Sequence, residues 1–274
     1  MRFKRLKLLM GVVGLSLVSP VQYASTLTLP NSAQFAEGAT SSSTTAGVLG
    51  TGNFTNQFFY TSALLSSIPV GYEITGFRVR ADAGLATGTY PSAALHWNNY
   101  DVTLAEAAVS ITAFGSSSNV AANMLNPQQV LSGALDIAVN SFTDSAASFN
   151  PFGPLISFTT PYLYQGGDLI FLVSHGTATG TGFNVDASNT GFGYTNSSEF
   201  AQRIATSCNA TTVNTTSAAP VIQLEFGPHT TTAPVPELDT LTLFLIGSFP
   251  LIARAARTRR QYARSLAMLG NTYP

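Results

Sequence analysis

Asp168-Leu169-Ile170-Phe171-Leu172-Val173 is a nearly unbroken apolar run bounded by the glycine pair Gly166-Gly167 on one side. It is too short for an ordinary helix and matches a strand covered on both faces. Working outward, Ile74-Thr75-Gly76-Phe77-Arg78-Val79-Arg80-Ala81 alternates. Phe77, Val79 and Ala81 are expected on one face, with Arg78 and Arg80 on the other. Val221-Ile222-Gln223-Leu224-Glu225-Phe226 repeats the pattern, with Ile222, Leu224 and Phe226 inward. Further strands are expected over residues 57–62, 100–105, 109–114, 155–159, 192–194 and 201–205, and residues 127–135 read as mainly extended. Gly, Pro, Asn and Ser clusters separate them. The fold class that follows is all-β, an antiparallel β-sandwich or jelly-roll-like body.

Composition agrees. Charged residues make up 9% of the 274 residues, against roughly 25% in an average soluble domain. Surface helices are normally dressed in Lys, Glu and Arg, so so few charges favour strands with uncharged polar faces. Between residues 25 and 235 only Arg78, Arg80 and Arg203 oppose eleven acids, a formal charge of −8. Such a body has little with which to neutralise phosphate, so no nucleic-acid partner is expected. The single cysteine, Cys208, excludes an intrachain disulfide and falls in a polar loop.

The remaining basic residues gather at the two ends. Residues 1–24 read as a secretory signal. Arg2, Lys4, Arg5 and Lys7 precede an apolar run over 8–18, with cleavage expected after Ala24. Eleven residues of helix reach only about 16 Å, short of a hydrocarbon core of about 30 Å, so an uncleaved anchor is disfavoured. At the other end, Pro234-Val235-Pro236-Glu237-Leu238-Asp239-Thr240 leads into an apolar segment over 241–253, and then Arg254, Arg257, Arg259 and Arg260. Arginines after a short membrane span hold that end in the cytoplasm. The organisation expected is therefore a signal peptide (1–24), a mobile leader with an edge strand (25–50), the β body (51–228), a linker (229–235), a sorting and membrane segment (236–260) and a cytoplasmic tail (261–274).

The order Val235-Pro236-Glu237, short apolar helix, arginine cluster resembles the PEP-CTERM sorting signal. By that resemblance Pro236 and Glu237 are the matched motif positions. The resemblance implies export, handling by an exosortase-like membrane transpeptidase, and association with extracellular polysaccharide and biofilm at the bacterial surface. Leu238 stands where the motif has a second proline, and fourteen residues follow the arginines. The body, too, is similar in its order of features to β-sandwich ectodomains that precede such tails.

Chemistry in the body is sparse. His96, His175 and His229 are far apart and form no metal-ligand pattern. The best enzymatic set is Asp168, His175 and Asp186, yet Asp168 and His175 fall at opposite ends of one expected strand, about 23 Å apart at 3.3 Å per residue. No catalysis and no cofactor are expected. Glycan contact has a better toolkit in Trp97, Asn98 and Tyr100, where an aromatic face meets amides, although a lone tryptophan also suits a core. Asp82, Asp101, Asp144 and Asp186 are carboxylates from which a Ca²⁺ site would be drawn, and no spacing singles out a set. The leading expectation is a non-enzymatic, envelope-anchored matrix protein. A carbohydrate-binding module comes second and a glycan-acting hydrolase third.

Overall fold

The computed structural model describes residues 24–40, 48–83, 88–144, 149–188, 199–213 and 219–229. The chain divides into two compact units, Met1–His229 and Thr230–Pro274, and every described residue belongs to the first. Residues 1–23 of the expected signal peptide, the strand at 192–194, the sorting motif Val235, Pro236 and Glu237, and the arginines Arg254, Arg257, Arg259 and Arg260 lie outside the described residues. Among the described residues no helix is long and apolar enough to cross a membrane.

The first unit is all-β and antiparallel. In chain order its strands begin with β1 (Ser25–Leu29), β2 (Ala39–Thr40), β3 (Phe54–Tyr60), β4 (Tyr72–Val79), β5 (Gly88–Tyr90) and β6 (Leu95–Trp97). They continue with β7 (Tyr100–Ala107), β8 (Met124–Leu131), β9 (Leu135–Ile137), β10 (Phe142–Asp144) and β11 (Ile156–Leu163). The last are β12 (Leu169–His175), β13 (Ala178–Thr179), β14 (Asp186–Ala187), β15 (Phe200–Ala205) and β16 (Ile222–Pro228). A four-stranded sheet runs β1-β16-β4-β11 and a five-stranded sheet runs β15-β3-β12-β7-β8.

The apolar run that opened the sequence reading is β12, the middle strand of the five-stranded sheet. It pairs with β3 from Leu169↔Tyr60 to His175↔Phe54 and with β7 from Leu169↔Glu106 to His175↔Tyr100. Side chains alternate across a strand. Leu169, Phe171 and Val173 therefore enter the main core, while Ile170 joins a second apolar cluster with Phe59, Ala105, Phe114 and Ala201. Both faces are covered, as the continuous run requires.

The four-stranded sheet obeys the alternation read from sequence. Ile222, Leu224 and Phe226 of β16 and Phe77 and Val79 of β4 are buried in the same main core. The Phe77 ring meets Phe171 of the other sheet edge-on, centroids 5.1 Å apart. Gly76 permits a close approach there, since a Cβ at that position would lie 2.7 Å from the Ile156 carbonyl oxygen. Just beyond, β11 slips register against β4 between Ser157 and Tyr162. That stretch leans to the other sheet instead, where Thr159 Oγ1 donates to the Val130 carbonyl (3.0 Å) and Gln128 Nε2 donates to the Pro161 carbonyl (2.9 Å).

Two expectations are corrected. The strand expected over 109–114 is a short helix, α1 (Ile111–Ser116), capped by Ser110, whose hydroxyl oxygen accepts from the Ala113 amide at 3.3 Å. Arg80, expected on the outer face with Arg78, is wholly buried. Regular pairing of β4 ends at Val79, and Arg80 makes only an isolated bridge to Phe152.

Removing the ring that joins the sheets should be costly. Phe171→Ala is expected to lose about 3–5 kcal/mol of stability, whereas Val70→Ala, at a position 67% exposed, should stay within about 0.5 kcal/mol. Denaturant unfolding of the two variants distinguishes them.

Candidate functional site

The proposed glycan residues fall at a turn. β6 ends at Trp97, β7 starts at Tyr100, and Asn98 and Asn99 join them. Trp97 and Tyr100 are both 0% exposed. The indole Nε1 donates to the Gly50 carbonyl at 3.2 Å, and the phenol donates to the Val48 carbonyl at 2.8 Å. Around His175 they form an aromatic box: Tyr100 stacks on the imidazole at 5.4 Å, while Trp97 at 5.9 Å and Phe54 at 5.7 Å meet it edge-on. Burial pushes the Tyr100 phenol well above its ordinary range. Neither ring has a free face for a sugar. These rings tie residues 48–50 to the five-stranded sheet.

Asn98 alone of the three is exposed, and its Oδ1 lies 3.2 Å from His96 Nε2. The other ring nitrogen, Nδ1, lies 2.7 Å from Asp136 Oδ1. Hydrogen bonding to Asp136, then to Asn98, raises the His96 pKa.

The three residues of the hydrolase set go to three separate places. Asp168 precedes β12 and accepts from the Ser62 amide at 2.7 Å. His175 ends β12 inside the aromatic box. Asp186, in β14, pairs with Arg80. The carboxylates considered for Ca²⁺ do not converge either: among the described residues no group of three or more His, Cys, Asp or Glu is arranged to hold a metal ion.

The densest chemistry in the body is the environment of Arg80. Its Nε donates to Asp186 Oδ2, and its Nη2 to the Ala36 carbonyl. The guanidinium carbon lies 5.5 Å from the ring centroids of both Phe149 and Phe152, an arrangement that offsets part of the lost hydration. Asp186 Oδ1 accepts from the Gly38 amide at 3.0 Å. Burial raises the Asp186 pKa, opposed by the charge and hydrogen bond of Arg80. Glu37 joins the group, with Oε1 accepting from the Ala83 amide at 2.9 Å. No local signal marks this site in the sequence, because Arg80 and Asp186 are 106 positions apart.

Cys208 sits half-buried in a turn held against the outer face of the five-stranded sheet. Asn99 Nδ2 donates to its sulfur at 3.3 Å, and Ser174 Oγ lies 3.6 Å from it. The turn is pinned by the Asn209 amide donating to Ser174 Oγ (2.7 Å) and the Ala210 amide donating to Thr55 Oγ1 (3.0 Å). Arg203, the nearest cation in sequence, directs its guanidinium to the carbonyls of Gly115 and Val213 instead. A thiol needs an electropositive setting to become reactive, and this arrangement supplies amides and hydroxyls.

Searches against protein families, curated proteins and solved structures returned no match to this chain.

Two outcomes follow. Trp97 is the only tryptophan, so native fluorescence should be blue-shifted, resistant to iodide quenching and unchanged by added polysaccharide. Arg80→Ala should destabilise the fold by about 3–5 kcal/mol, because Asp186 is left buried without its counter-charge. Thermal or denaturant unfolding reads that loss.

Proposed function

We propose that this chain is an exported β-protein, anchored or sorted through its C-terminal tail, which acts at the cell surface by non-enzymatic contact with the extracellular polysaccharide matrix. In this reading the two large sheets are the layers of an antiparallel, jelly-roll-like β-sandwich, with Phe77 and Phe171 meeting between them. The tail's arginines and apolar segment make the membrane its first partner, and an exosortase-like enzyme its second.

The observation that carries the reading is the order of residues 235–260: Val235-Pro236-Glu237, an apolar segment, then Arg254, Arg257, Arg259 and Arg260. The fold is compatible with processing at both ends. β1 begins at Ser25, directly after the expected signal cleavage. β16 ends at Pro228 and lies between β1 and β4. Loss of the chain before Ser25 or after Glu237 would leave the four-stranded sheet complete.

The internal commitments of the body support a role without catalysis or nucleic acid. Arg78 pairs with Glu225 at 3.3 Å and donates to the Gly153 carbonyl. Arg80 and Arg203 are buried. All three are already engaged within the fold, which supports a body with little to offer a phosphate backbone. A matrix role therefore falls to the uncharged Ser, Thr and Asn side chains of the exposed surface.

Intact-mass analysis of the protein from native envelopes tests the reading. The expected mature form starts at Ser25 and ends near Glu237, and joint replacement of Pro236 and Glu237 by alanine abolishes that end. A form that keeps Arg254–Pro274 whatever the substitution would reduce the tail to a plain anchor.

A further inference from the structure

One large aromatic ring of the body is left mostly in water. Phe35 follows the short turn Asn31–Ala33 and is 75% exposed, more than any other large apolar side chain described. It does not stand alone. Its ring meets that of Phe149 at 66°, centroids 6.4 Å apart. Phe149 in turn shares the Arg80 guanidinium with Phe152, and both rings are half-buried. Arg80 is wholly buried, bonded to Asp186 and to the carbonyl of Ala36, the residue next to Phe35. The buried ion pair therefore fixes both the backbone beside Phe35 and the ring against which Phe35 leans. Holding a ring in place before a ligand arrives lowers the cost of binding.

The chemistry of an exposed phenyl ring limits what it can hold. Its face is weakly negative and attracts polarised C–H groups. A hexopyranose with equatorial hydroxyls gathers its axial C–H groups on the faces of the sugar ring and its hydroxyls at the rim. Asn31, Ser32 and Gln34, all exposed on the same turn, place amides and a hydroxyl around Phe35. Charge and area separate the other occupants. Residues 25–235 set three arginines against eleven acids, and Arg80 is enclosed, so acidic polymers and anionic lipid surfaces are repelled. A phenylalanine buries at most about 250 Å², far short of the roughly 800 Å² per partner of a stable dimer.

We infer that Phe35, braced by Phe149 and Phe152, is a stacking platform for the sugar rings of a neutral, β-linked polysaccharide, with Asn31, Ser32 and Gln34 serving the hydroxyls. The inference rests on the matrix-contact reading above and names the site where that contact is made. One ring stacked on one sugar binds weakly. A polymer that meets many copies of the protein at a surface multiplies the contact.

Saturation-transfer NMR of the full-length protein, in a detergent without sugar groups, tests it with cellohexaose, dextran and alginate as probes. Cellohexaose should receive saturation, most strongly at its axial ring protons, and alginate should receive none. Phe35→Ala should weaken cellohexaose binding about three- to tenfold, the share an aromatic face contributes, with the melting temperature unchanged. Phe35→Trp should keep the binding, and emission from the added indole should respond to cellohexaose while that of buried Trp97 stays silent. Equal cellohexaose binding by the native protein and Phe35→Ala would overturn the site and leave polysaccharide contact standing. Binding of none of the three probes by the native protein would overturn both. A preference for alginate would overturn the neutral chemistry. Self-association lost in Phe35→Ala, with glycan binding untouched, would give the ring to a second copy of the chain instead.

Discussion

The structure depends on one constraint, the burial of both faces of the five-stranded sheet. Once β12 carries Leu169, Phe171 and Val173 on one face and Ile170 on the other, each face must be covered. The first meets the four-stranded sheet, whose strands each contribute to the main core. Among the described residues the second has no sheet opposite it and is covered piecewise. α1 brings Phe114 to within 5.5 Å of the Phe59 ring, and the chain around 118–123 and 206–213 covers the rest. A large apolar face left in water would be a binding or aggregation surface; here the short helix and two loops remove it.

The polar residues on that covered face show how loops can replace a second layer. Buried polar groups must find partners. Gln57 of β3 is 0% exposed, and it donates to the Val120 carbonyl at 2.9 Å while accepting from Asn123 Nδ2 at 2.8 Å. Thr55 and Ser174 hold the Cys208 turn in the same manner. The outer face is apolar where a helix packs on it and hydrogen-bonding where loops cross it. Loop backbone carries donors and acceptors that an apolar sheet surface could not satisfy, so the two kinds of cover demand two kinds of strand residue.

Alternation made the sheets legible from sequence because it reports a local property, which side of a strand a residue occupies. β4, β12 and β16 could be read in this way. The same reasoning failed at residues 109–114, where a β-branched and aromatic composition favours a strand. The deciding fact is which residues share a face. Ile111 and Phe114 lie three apart, on opposite sides of a strand but the same side of a helix. Both pack on the second cluster, and Ser110 supplies the cap. Arg80 illustrates the other limit. Its alternation with Val79 was correct in phase, but a partner 106 residues away decided whether it met water or Asp186. Trp97 and Tyr100 were ambiguous for a related reason, since an aromatic beside asparagines serves a sugar or a core equally well. In the structure both rings are buried and hydrogen-bond to the Gly50 and Val48 carbonyls, contacts across long separations.

Reactivity and binding both require groups that are not already occupied by the fold. In the body, the arginines hold carboxylates and carbonyls, the tryptophan and its neighbours enclose a buried imidazole, and the cysteine is surrounded by amides and hydroxyls. Strong chemistry has been turned inward to stabilise a chain with few charges. Arg80 shows why this is structurally reasonable: a single guanidinium between two phenylalanine rings fixes three segments, at residues 36, 80 and 186, that no apolar contact of the same size would position so directionally. A body organised in this way presents mainly uncharged hydroxyls and amides, with acids that outnumber the arginines. Under the function proposed above, such a surface would offer many weak hydrogen-bonding contacts to hydrated, polar polymers and not one tight site.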